Sequence, residues 1–296
     1  MAVNKDKIVV VTDSVADIPD SLVKKYDIRV VPLYVNLEGK SYREHLEIDQ
    51  DRIYSSLLSG TPVKTATPTI NDFLRLYRDI KEKESPSIIY SIHLSAALSG
   101  TLNAASAAAA EVNGVDIRMV DSKKAAIGQG FVVLAAAAAA RQGAGEEEID
   151  SIIKKTIDGC YFYATFDNFE YVVKGGRAPF LAGFVKKVML LKAVITFREN
   201  GSLGLKRFCI NRRSALTHLY RSVKSEIIGS GMGRCIIGIC YGNDAGPALI
   251  LKDMVENDPD IEVCDFVMSK MTSVMAVHTG PGIWGIAACP AFVSRL

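Results

Sequence analysis

Short β-branched runs and longer stretches of helical periodicity alternate through the first half of this 296-residue chain, an order that few folds accept. "KIVVVTDS", "IRVVPLYVNL", "SIIYSIHL" and "DIRMVDS" have the content and spacing of strands. "DQDRIYSSLLSG", "TINDFLRLYRDIKEK", "SGTLNAASAAAAEV" and "AAIGQGFVVLAAAAAARQG" have helical spacing. Helical crossovers lay successive strands parallel, so a mostly parallel sheet flanked by helices is expected. "GEEEIDSIIKKTID" carries acidic residues in its first turn and lysines later, as the helix dipole favours, and is expected to close an α/β domain spanning 1–159.

From Tyr161 the texture changes to an aromatic strand "CYFYATF", the irregular "VVKGGRAPF", and the hairpin pair "LKAVITF" and "LGLKRFCI" around the turn "RENGS". The helix "RRSALTHLYRSVKSEI", strand "RCIIGICY", helix "AGPALILKDMVEN" and strand "IEVCDFVMS" complete a second α/β domain over 160–296. A ligand in the cleft between the domains is the expectation such a pair carries.

Composition removes several function classes. A net charge of +2 with 23% charged residues lacks the basic excess of a nucleic-acid binder, so no nucleic acid is expected. The longest apolar stretch, "GFVVLAAAAAA", is too short and alanine-rich to cross a bilayer, and "MAVNKDKIVVVTDS" leaves no room for a signal peptide. Six cysteines without a C-x-x-C pair read as reduced thiols of a cytoplasmic protein. His45, His93, His218 and His278 are too scattered for a metal box, and "GSGMG" follows a helix, the reverse of a dinucleotide fingerprint. No Walker A sequence or G-x-S-x-G elbow is present, so no metal, cofactor or catalytic residue is assigned.

The motifs that remain are hydroxyl-rich strand exits and glycine turns. Asp13 and Ser14 end the first strand, where open α/β sheets place ligands, although capping is the commoner use of such residues. The Asp13-x-x-x-Asp17 spacing differs from the D-x-D of a phosphoaspartyl phosphatase. Ser95 ends another strand, and Ser99, Gly100 and Thr101 open a helix whose free N–H groups suit either an anion or an ordinary cap. Thr65 and Thr67 precede Pro68 at a third such exit, where turn chemistry is the plain alternative. Gly175 and Gly176 precede Arg177, which either meets an anionic group or sits on the surface after a flexible turn. His278 stands beside Gly280, Pro281 and Gly282, with Trp284 close behind, at what reads as a strand-to-helix junction; a packed or capping ring is the plain alternative. Ala104, Ala105, Ala107 and Ala108 either leave room for a ligand chain or permit close helix packing.

In order, "DSVADIP", "TATPT", "LSAALSGTLNAA", "VDSKKAAIGQG", "VVKGGRAP" and "HTGPGIWG" resemble the DegV family, the bacterial fatty-acid-binding proteins, from about residue 8 to the C-terminus. K-G-G-R and H-x-G-P-G are specific in combination. The resemblance implies a two-domain fold holding a long-chain fatty acid in a tunnel, with its carboxylate at the domain interface. It further implies a lipid carrier rather than an enzyme, which presents the acid to a fatty acid kinase for acyl-phosphate formation and phospholipid synthesis, with transient contact at a membrane surface. Carried over residue by residue, Thr65, Ser95 and His278 hold the carboxylate, and Arg177 and His278 present the head group. Asp13, Ser14, Ser99, Gly100, Gly175, Gly176 and Gly280 shape the supporting loops. Ala66 and Thr67 replace Ser and Gln of the family's threonine loop, Ala96 replaces the second serine of S-S-x-L-S-G-T, and Ala125 stands where many members carry serine.

Burying some fifteen methylenes at about 0.8 kcal/mol each gives on the order of 12 kcal/mol gross, so such a tail supplies affinity and the head group orientation. Two alternatives make different predictions. A hydrolase or acyltransferase using Ser14 or Ser95 with His278 turns over esters, and a small-anion sensor carries no acyl chain.

Overall fold

The computed structural model describes residues 4–168, 170–184 and 191–296. Among the described residues, three sheets organise the chain. The first is wholly parallel, in the order Arg29–Val31, Asn4–Asp13, Pro86–His93, Asp116–Asp121. Its strands are apolar on both faces because both are covered: Val9 and Val11 pack with Phe73 and Tyr77 of the helix Ile70–Glu84, while Val10 faces the opposite layer.

The second sheet has six strands, in the order Leu203–Cys209, Lys192–Phe197, Tyr161–Phe166, Ile283–Pro290, Cys235–Tyr241, Val263–Lys270. Only its last pair is parallel. "IRVVPLYVNL" does not form one strand but two. Pro32 lacks the N–H that a ladder needs, so Arg29–Val31 joins the parallel sheet and Tyr34–Leu37 starts a small antiparallel sheet with Lys40–Arg43 and Val63–Ala66.

The alanine-rich helix Ala126–Arg141 lies between the two large sheets, with every residue from Ala126 to Ala139 buried. It shares one apolar cluster with Val10, Tyr90 and Ile92 on one side and Phe162, Ala164, Ile236 and Ala287 on the other. A helix covered on both faces has no polar stripe, and alanine lets the sheets close onto it. The alanines of the helix Thr101–Ala109 have a different use. Ala105 and Ala108 pack with Phe73 and Tyr77, so these small side chains permit helix packing and make no room for a ligand.

Helix Ser273–Thr279 crosses from the second half of the chain onto the small sheet, where Val274 and Ala276 join a cluster with Val15, Leu33, Val35, Ile53 and Leu57. This crossing carries His278. The junction runs from helix to strand, into Ile283–Pro290, and not from strand to helix as the local sequence reads. Among the described residues, no helix is long and apolar enough to cross a membrane.

Candidate functional site

Between the two halves lies a cavity of about 170 Å³, far above the roughly 10–15 Å³ that admits one water. Its walls come from the six-stranded sheet, the small sheet, the segments that follow the strands of the parallel sheet (Val15, Leu33, Leu94), the start of the alanine-rich helix and the helix of His278. Phe162, Phe166, Ile195, Phe197, Met271 and Met275 give it an apolar interior. Thr65, Arg177 and His278 line this cavity and also line an open surface cleft of about 630 Å³, so the polar groups stand at its mouth.

Thr65 reaches the mouth because it lies near the end of the edge strand Val63–Ala66, and Thr69, not Thr65 or Thr67, caps the following helix in a reciprocal pair with Asp72. Its Oγ1 lies 2.7 Å from His278 Nε2. His278 Nδ1 is buried and has no hydrogen-bond partner among the described residues. A bare buried N–H is the costlier choice, so the ring proton belongs on Nε2, where Thr65 Oγ1 accepts it. The hydroxyl proton of Thr65 is then free to serve a ligand. Burial, with the nearby charge of Arg177, pushes the His278 pKa down to about 4, and the ring is neutral at physiological pH.

The two glycine motifs fit against each other here. A Cβ on Gly175 would stand 2.7 Å from His278 Nδ1, and one on Gly280, where φ is +81°, would stand 2.6 Å from the Tyr171 ring. Gly176 turns the chain with φ +74°, and Arg177 follows with an exposed guanidinium. Its Nε donates to Leu98 O at 3.2 Å and its Nη1 to Gly175 O, so backbone acceptors hold it at the mouth.

The remaining expected residues divide. Ser99 lines the cavity while its Oγ accepts from Thr101 N at 3.3 Å; Gly100 is the exposed cap position of the same helix. Asp13 Oδ1 accepts from Val15 N at 3.1 Å, and Ser14 accepts from Leu33 N at 3.0 Å and donates to Glu44. They fix the turn that places Val15 in the cavity wall, without lining it themselves. Ser95 stands back from the cavity. Its hydroxyl is fully buried and donates to Gly201 O at 2.9 Å, tying the hairpin tip to the first sheet, and it is not among the residues lining the cavity.

One arrangement escaped the sequence. Ser91 Oγ lies 2.7 Å from His93 Nε2, and His93 Nδ1 lies 2.9 Å from Asp13 Oδ2. All three are fully buried, Tyr77 OH occupies Ser91 at 2.7 Å, and the Phe73 ring packs edge-on against His93. A nucleophile needs room for a substrate, so this triad-like chain is a satisfied core network. Ser14 and Ser95 both have other partners, and His278 is engaged with Thr65, so neither serine forms the expected pair with it.

A buried apolar cavity between two α/β halves, with a hydroxyl, an imidazole and a guanidinium at its mouth, defines a binding protein for a largely apolar small molecule. The family model described as "Uncharacterised protein, DegV family" matches residues 7–291, and the chain belongs to the DegV family. The "Fatty acid-binding protein" of Thermotoga maritima is 31% identical over 287 residues, covering 94% of this chain and 96% of that one. The protein DegV of Bacillus subtilis is 28% identical over 95% of this chain and 99% of its own. Among solved structures, a fatty-acid-binding DegV family protein from Thermus thermophilus superposes with a TM-score of 0.89 at 28% identity, covering 96% of this chain and 100% of that one.

Proposed function

We propose that this protein binds one long-chain fatty acid, with the acyl tail in the apolar cavity and the carboxylate at its mouth on Thr65, backed by His278 and faced by Arg177. The observation that carries the reading is the cavity itself, apolar within and polar where it meets the surface cleft. Fatty-acid-binding relatives with the same fold support the choice of ligand. The tail, at about 0.8 kcal/mol per buried methylene, sets affinity, and one charge-assisted hydrogen bond sets orientation.

The protein on this reading is a cytoplasmic carrier, and a partner fatty acid kinase makes the acyl phosphate. Lys64 and Arg177 line the cleft outside the mouth, where Lys174 is paired with Glu170, and these two cations suit an incoming phosphoryl group. Organic extraction of protein purified from a bacterial host, followed by mass spectrometry, tests the first half. Near-stoichiometric fatty acid is expected; none, together with no uptake of added palmitate or oleate, defeats it. Incubation of the loaded protein with such a kinase and ATP, with acyl phosphate as readout, tests the second.

A further inference from the structure

The helix Ser273–Thr279 has no side-chain cap of its own, yet its opening is held by four residues from the other half of the molecule. Asp17 Oδ1 accepts from Thr272 N at 2.9 Å and Glu44 Oε2 from Val274 N at 2.9 Å. Tyr54 OH donates to Met271 O at 2.9 Å, and Gln50 donates to the same carbonyl. Val274 is one helical turn before His278, so whatever seats this opening also seats the imidazole against Thr65.

Resting on the ligand reading above, we propose that Asp17 and Glu44 are positioning residues for the head-group site: they fasten the His278 helix across the two halves when protonated and release it when ionised, linking ligand retention to pH.

The surroundings give the sign. Both carboxyls are buried and Asp17 Oδ2 has no hydrogen-bond partner among the described residues; burial is the largest influence on each, Asp13 raises both and Glu44 raises Asp17, and together these outweigh the lowering by the N–H groups of Thr272 and Val274. Burial pushes Asp17 up to about 8 and Glu44 up to about 7. The other titratable neighbours do not neutralise them. Asp13 is paired with His93, Tyr54 and Cys240 are held protonated by burial, and burial lowers the pKa of His45 at the same surface pocket. Lys270 lines that pocket too, but its Nζ pairs with Asp51. An acid whose pKa is higher in the seated state favours that state below the ordinary carboxylate range. The advantage is lost as pH climbs from about 4 through 7 to 8.

Glu44→Gln and Asp17→Asn keep an acceptor for the helix N–H without a titrating proton. Binding of radiolabelled palmitate at pH 5.5 and 8.5 is to be compared as the ratio of wild-type to variant affinity, which cancels the ligand's own titration. Wild type should lose about tenfold relative to Glu44→Gln across that interval. Glu44→Ala, which removes the acceptor, should bind more weakly than Glu44→Gln at both values. Amide exchange of Met271–Val274, corrected for its intrinsic rate, reads the seating without ligand and should show protection falling with pH most steeply in wild type and less in Glu44→Gln and in Asp17→Asn, each of which keeps one titrating acid. Affinity ratios unchanged across pH, together with the same pH dependence of protection in wild type, Glu44→Gln and Asp17→Asn, would overturn the proposal. Should wild type bind no palmitate at either pH, the carrier reading fails, and the exchange measurement alone decides the latch.

Discussion

Thr65 and His278 lie 213 positions apart in sequence and 2.7 Å apart at the mouth of the cavity. Everything that brings them together is backbone placement: an edge strand carries one near its end, and a short helix carries the other across from the second half of the chain. Thr65→Val keeps the shape and removes the donor. Its loss should cost roughly 1.5–3 kcal/mol, a ten- to hundredfold fall in palmitate affinity measured by equilibrium dialysis, with residual binding from the tail.

Arg177 has a different expected phenotype, because its guanidinium is exposed and held by backbone carbonyls. In Arg177→Ala the ligand should stay bound while acyl-phosphate formation by a partner kinase drops. Loss of fatty acid from the purified variant, with normal phosphorylation per bound ligand, would show that the arginine is a binding residue instead.

Gly175→Ala tests the contact between the two glycine motifs. A Cβ placed 2.7 Å from His278 Nδ1 and 3.2 Å from Tyr171 O has to displace the ring or the turn. Palmitate affinity should fall at least as far as in Thr65→Val, with stability lowered by about 1–3 kcal/mol in a denaturant titration.

How much of this was legible in the sequence follows physical lines. Local signals sufficed for most strands, for the long alanine-rich helix and for the glycines that must turn or approach closely. The break at Pro32 was also a local signal, and missing it cost the small sheet that carries Thr65. Ser95 follows the end of a strand, and its hydroxyl donates to Gly201 O, 106 positions away, a contact that no local signal encodes. Asp17 and Glu44 carried no motif at all. Their role comes from burial against Thr272 and Val274, more than 220 positions later, which no spacing in their own neighbourhood encodes.

Ala125 offers a gain rather than a loss. It is the cap residue of the helix Ala126–Arg141, already in the extended conformation a cap needs (φ −143°, ψ 178°), and provides no side-chain hydrogen bond. Ala125→Ser should stabilise the protein by about 0.5–2 kcal/mol, seen as a rise of a few degrees in Tm. It also adds a hydroxyl to the cavity wall.

His278 should titrate far below an ordinary histidine. Its folded pKa near 4, against 6.5 for a free ring, means the unfolded chain takes up the proton first as pH falls. Its contribution to stability is therefore full above about 6.5, declines between 6.5 and 4, and levels off below. An NMR titration of the ring protons should find no midpoint between pH 5 and 9; a midpoint near 6.5 would remove the case for a neutral imidazole behind Thr65.

Carbon-13 NMR of bound palmitate reads directly which end of the ligand meets Thr65 and His278. With palmitate labelled at the carboxyl carbon, the bound resonance in wild type should shift on Thr65→Val, whereas palmitate labelled at the terminal methyl should give the same resonance in both proteins. A methyl resonance that moves while the carboxyl resonance stays fixed would contradict the account.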